Sequence, residues 1–149
     1  MGRVRILLAD DQAQTAAMLR LRLEAEYDIV GAVENGLTAI EAARSLRPDV
    51  FLTNVEMPIL NGIAAAREIH EFLPDCRVIF YSSCGDPDTM AAAFAAGASG
   101  YLINDTARSL LSSIPAVVQY IWRREPYIIS DFPPPDSPRG QTLAQYGAC

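Results

Sequence analysis

Short apolar runs alternate with segments whose apolar residues recur at helical spacing along most of the chain. Strands are expected at residues 4–9, 29–33, 50–53, 78–81 and 100–103, and helices at 13–25, 37–46, 63–72, 87–96 and 106–123. Arg47-Pro48 closes the second helix, because proline disfavours the helical conformation in the residue before it. The runs Ile6-Leu7-Leu8 and Val50-Phe51-Leu52 are apolar at every position, as a strand covered on both faces requires. Five strands alternating with five helices predict an α/β fold with a five-stranded, doubly wound parallel sheet, (βα)5. Right-handed crossovers then place helices on both faces.

In an open sheet of this kind the working crevice lies outside the carboxyl ends of the strands, where the strand order reverses. That rule gathers Asp10, Asp11, Asn54, Ser82 and Asn104 at one rim, since each follows an apolar strand. An acidic pair at the end of the first strand suits a hard cation that takes oxygen ligands. The bland alternative is that one of the two caps the helix that follows. Asn54, where a third acid would complete the site, is neutral. No GxGxxG follows the first strand, which argues against a dinucleotide-binding enzyme.

Composition narrows the choice. A chain of 149 residues, half of them hydrophobic, suits one domain with a full core. The net charge is -6 and the twelve basic residues, all arginine, are scattered, so direct nucleic-acid binding is not expected. Cys76, Cys84 and Cys149 form no CxxC pair and His70 is the sole histidine, so zinc spacing is missing and the thiols are expected reduced in a cytoplasm. Neither a cleavable leader nor an apolar run long enough for a bilayer is seen. Residues 1–124 are read as the domain. Residues 125–149, with Pro126, Pro133, Pro134, Pro135 and Pro138, are read as a stiff tail or linker without an output domain.

Taken together, Ile6-Leu7-Leu8-Ala9-Asp10-Asp11, the run from Pro48 through Asn54 to Pro58 with Asn61-Gly62, Val78-Ile79-Phe80-Tyr81-Ser82-Ser83, and the run from Gly97 to Asp105 carry a family likeness. Residues 3 to about 124 resemble a response-regulator receiver domain, with the CheY-like flavodoxin-type fold, and look most like receivers of LuxR/NarL-type transcriptional regulators. The resemblance implies roles position by position. Asp10 and Asp11 match the acidic pair that holds magnesium, and the backbone carbonyl of Glu56 matches a third ligand. Asn54 falls on the phosphoacceptor aspartate and Asn104 on the lysine that pairs with the incoming phosphate. Ser82 matches the switch hydroxyl, and Tyr101 the aromatic side chain whose rotamer reports the state.

Two of those positions are substituted. An amide is a poor nucleophile and lacks the unit charge, worth about 4 kcal/mol at about 4 Å with an effective dielectric of about 20. With no lysine anywhere, no ammonium replaces Asn104. The chain is therefore expected to be a non-enzymatic pseudo-receiver in a two-component phosphorelay, acting by protein contact without phosphorylation. No cofactor is required, and magnesium binding is expected to be weak. The expected partner is a kinase, a regulator or a second copy, met through the face of the last two helices. Pro115 is expected to kink the last helix and alter that face. Two other readings stay open: a pocket that takes a small molecule or anion, and residual phosphotransfer onto Asp10 or Asp11.

Overall fold

The computed structural model describes residues 2–83 and 85–103 and the backbone of residues 127–130. All five expected strands and the first four expected helices are present. They run β1 (Arg5–Ala9), α1 (Ala13–Leu23), β2 (Asp28–Val33), α2 (Gly36–Leu46), β3 (Val50–Asn54), α3 (Gly62–Phe72), β4 (Arg77–Ser82), α4 (Pro87–Ala95) and β5 (Ala98–Ile103). Most of these bounds lie within a residue or two of the sequence reading. The fifth expected helix, Pro115 within it, and the boundary at residue 124 lie outside the described residues, as do Cys84 and Cys149.

One element departs from the five-strand expectation. A sixth strand, β6 (Tyr127–Ser130), pairs parallel to β5 in a sheet ordered β2-β1-β3-β4-β5-β6. It lies inside the segment read as a tail, where the prolines outweighed the short run Tyr127-Ile128-Ile129-Ser130. Aromatic and β-branched residues suit a strand, and Pro126 just before it interrupts no ladder inside it.

Side chains alternate between the two sheet faces, and the faces have different cores. Leu7, Phe51, Val78, Phe80 and Tyr101 pack with Ala39, Ala43, Ala65, Ile69 and Met90, which come from α2, α3 and α4. Ile6, Leu8, Leu52, Ile79, Tyr81 and Leu102 pack with Leu19 and Leu23 of α1. Burying large side chains of this kind contributes roughly 1.5–3 kcal/mol each.

Asparagine caps two helices. Asn35 Oδ1 accepts from the Thr38 amide at 2.9 Å and Asn61 Oδ1 from the Ala64 amide at 2.8 Å, each filling one of the unpaired donors that open a helix. The glycine after each cap is held by the chain opposite: Gly36 N–H donates to Leu60 O at 2.8 Å and Gly62 N–H to Val55 O at 2.9 Å. Gly62 also permits a close approach. A Cβ there would collide with the Asn54 carbonyl oxygen and lie 2.8 Å from Thr53 Oγ1, so α3 seats against the end of β3 only because this residue has no side chain.

Candidate functional site

The chain steps from β1 outward to β2 and then returns to β3 on the other side of β1, so the strand order reverses between β1 and β3. Ala9 and Thr53 are register partners there. The next residue on each strand is Asp10 and Asn54, so the topology sets these two at the mouth of one crevice, as the sequence pattern anticipated. Asn54 pairs in turn with Tyr81 on β4, and Ser82 with Ile103 on β5. Asp10, Asn54 and Ser82 thus come to one rim. Asp11 is exposed beside Asp10, and Glu56 lies in the exposed loop after β3. Asn104 lies outside the described residues.

Asp10 is 2% exposed, an unusual setting for a carboxylate, and both its oxygens have donors. Oδ1 accepts from the Gln12 amide at 2.9 Å, and Oδ2 accepts from the Tyr81 hydroxyl at 2.6 Å. The second distance is that of a charge-assisted O–H···O⁻ bond. Neither donor is a cation. The Gln12 bond fixes the turn into α1, whose N-cap Gln12 makes no side-chain capping bond, its Oε1 accepting instead from the Thr15 hydroxyl at 3.3 Å. Neither acid of the pair caps α1: the N-cap is Gln12, and Asp10 accepts from that residue's own amide, one step ahead of the helix.

Tyr81 is the site residue that sequence reasoning missed. In a strand pattern an aromatic at an apolar position reads as core, and the ring does pack among Ile79, Leu52 and Leu102. Its hydroxyl, however, reaches over the end of β3 to Asp10 on β1. A polar-tipped aromatic one residue before a rim serine was the available signal. Burial pushes its phenol far up from the ordinary tyrosine value, followed by the Asp10 charge, the hydrogen bond to Asp10 and the Asp11 charge. The phenol therefore keeps its proton and remains a donor.

On the opposite face Tyr101 is fully buried, with its ring centroid 6.3 Å from that of Phe80. Burial pushes its phenol up to about 12, a hydrogen bond with the Ser82 side chain counts against that rise, and the charges of Asp86 and Glu56 add to it. The two residues matched to the family switch thus lie within each other's influence on neighbouring strands, with the tyrosine turned inward. Among the described residues no three His, Cys, Asp or Glu side chains are gathered into a set that could hold a metal ion. No helix among them is long and apolar enough to cross a membrane.

This geometry has counterparts. The family model for the response regulator receiver domain matches residues 6–114. The transcriptional regulatory protein LnrK of Bacillus subtilis is 34% identical over 104 residues, covering 68% of this chain and 47% of LnrK. The chemotaxis protein CheY of Halobacterium salinarum is 38% identical over 97 residues, 65% of this chain and 81% of CheY. The signal receiver domain of the response regulator NarL from Mycobacterium tuberculosis superposes with a TM-score of 0.73 at 25% identity, covering 83% of this chain and all of that domain. The chain belongs to the response-regulator receiver family and is a receiver domain of the two-component kind. It spans about half the length of LnrK, while it covers most of CheY.

Proposed function

We propose that this receiver works by protein contact without passing through a phosphorylated state, as a non-enzymatic regulatory module. The observation that carries the reading is the place of Asn54: an amide stands at the end of β3, at the reversal of strand order, where the family's acceptor carboxylate belongs. An amide oxygen there neither attacks a phosphoryl donor nor contributes charge to a metal site. The donors that remain are a poor match for a hard cation. Asp11 is one exposed carboxylate, and Asp10 has both oxygens engaged by protein groups. Magnesium is accordingly not required, and no step is assigned to it.

With the phosphoryl group out of the scheme, another differential contact must select between states of Ser82 and Tyr101. A partner protein, either a kinase, another regulator or a second copy, supplies it through the face that α4 begins. Incubation of the chain with acetyl phosphate and magnesium, followed by intact mass, tests the reading. The unaltered chain is expected to gain no phosphoryl mass, and the double variant Asn54→Asp, Asn104→Lys is expected to gain one. A phosphoryl adduct on the unaltered chain that disappears in Asp11→Ala would overturn it.

A further inference from the structure

We propose that the Tyr81 hydroxyl stands in for a cation at this rim: it holds the Asp10 carboxylate in place, occupies Oδ2, and makes the receiver indifferent to divalent metal. This rests on the phosphorylation-independent reading and adds the residue that enforces it. Three observations converge on Tyr81. Asp10 is buried to 2% exposure, so its carboxylate depends on protein donors, and the two it has are Gln12 N–H and Tyr81 O–H.

The second observation is reach. β3 lies between β1 and β4, so the hydroxyl must cross two strand spacings of about 4.8 Å each. Serine or threonine at position 81 would be too short, and phenylalanine would span the gap but donate nothing. Third, Asn54 and Tyr81 are register partners, and alternation along β3 sets Asn54 on the face of Leu52, the face on which Tyr81 packs. The phenol therefore passes beside the substituted acceptor position. A cation approaching Asp10 meets Oδ1 already bonded to the Gln12 amide and Oδ2 held by the 2.6 Å bond from Tyr81, so taking both oxygens means displacing or sharing that bond.

Calorimetric titration of the full chain with magnesium chloride tests this. Tyr81→Phe is expected to bind magnesium about tenfold more tightly than the unaltered chain, because the cation no longer competes with one charge-assisted hydrogen bond. Equal or weaker affinity in folded Tyr81→Phe overturns the proposal, and Tyr81→Val serves as the second variant if the first does not fold. A measurement on the unaltered chain stands apart from both. Nuclear magnetic resonance follows the Tyr81 hydroxyl proton and the Asp11 amide as magnesium chloride is added. Both signals unmoved, or both changed together, supports competition. A shifted Asp11 amide with the hydroxyl proton retained shows cation and hydroxyl coexisting, and sinks it. Phosphoryl uptake by the unaltered chain would defeat the functional reading alone, whereas unchanged magnesium affinity in Tyr81→Phe would remove only the role given to Tyr81.

Discussion

Two buried tyrosines on neighbouring strands, Tyr81 and Tyr101, end in different company. Tyr81, on the α1 face, donates across β3 to a buried acid, while the Tyr101 phenol, on the face of α2, α3 and α4, has the half-buried hydroxyl of Ser82 for its polar neighbour. One contact joins a hydroxyl to a charge that water cannot reach. The other joins two neutral groups at the edge of solvent. A bond to a buried carboxylate is hard to exchange, because breaking it strands the acid. A bond between two hydroxyls is easily replaced by water, which suits a position that changes state. The difference assigns rigidity to one face of the rim and adjustability to the other.

The comparison breaks most visibly at Asp10. Asp10→Ala removes the near acceptor of the Tyr81 hydroxyl, leaving it only the Ala9 carbonyl at 3.4 Å, and removes the bond that fixes the turn into α1, so urea unfolding should show a loss of about 3 kcal/mol. A loss under about 1 kcal/mol would mean that the Tyr81 hydroxyl is satisfied by the Ala9 carbonyl or by water and that the α1 face is no more rigid than the other. Next comes the end of β3, which the Tyr81 hydroxyl crosses to reach Asp10. Gly62→Ala adds a Cβ against the Asn54 carbonyl and should cost about 2 kcal/mol as α3 shifts, with the Tyr81 hydroxyl proton moving in the spectrum.

Tyr101→Phe should cost only about 1 kcal/mol by the same urea measurement, since Ser82 can turn to solvent. The smallest effect is a matter of pH. Tyr101 rises from 10.0 to about 12 on folding and Cys76 from 9.0 to about 12, the latter through burial first and the Asp49 charge second. Below pH 9 folded and unfolded chains both hold these protons, and the contribution is complete. Between about pH 9 and 12 the unfolded chain releases them first, so stability falls as pH rises. Urea midpoints taken across that window should fall less steeply in Tyr101→Phe than in the unaltered chain.

Much of this was legible in the sequence, because burial leaves a plain signature. Leu7, Phe51 and Phe80 sit in runs apolar at every position, and the rim rule then locates Asp10, Asn54 and Ser82 from strand ends alone. Contacts set by register were not legible. Nothing in a linear pattern says that β3 separates β1 from β4, so the bond from Tyr81 to Asp10 had no local sign. The left-handed backbone of Ile59, at φ 71° in the loop before α3, was equally hidden, since a β-branched residue is the last to be expected there. The strand Tyr127–Ser130 was obscured by the prolines on either side of it, and its register against β5 belongs to the fold as a whole.

The amide bonds around the rim also bear on how the molecule ages. Asparagine is lost spontaneously when the backbone nitrogen of the following residue attacks the side-chain carbonyl, ammonia departs, and water then opens the resulting cyclic imide to aspartate or isoaspartate, fastest in Asn-Gly pairs. Asn35-Gly36 and Asn61-Gly62 are such pairs, and both glycine nitrogens are held in hydrogen bonds. After Asn54 comes Val55, branched and with its nitrogen bonded to Tyr81 O at 3.2 Å. The fold thereby guards the one amide whose hydrolysis would return an acid to the acceptor position.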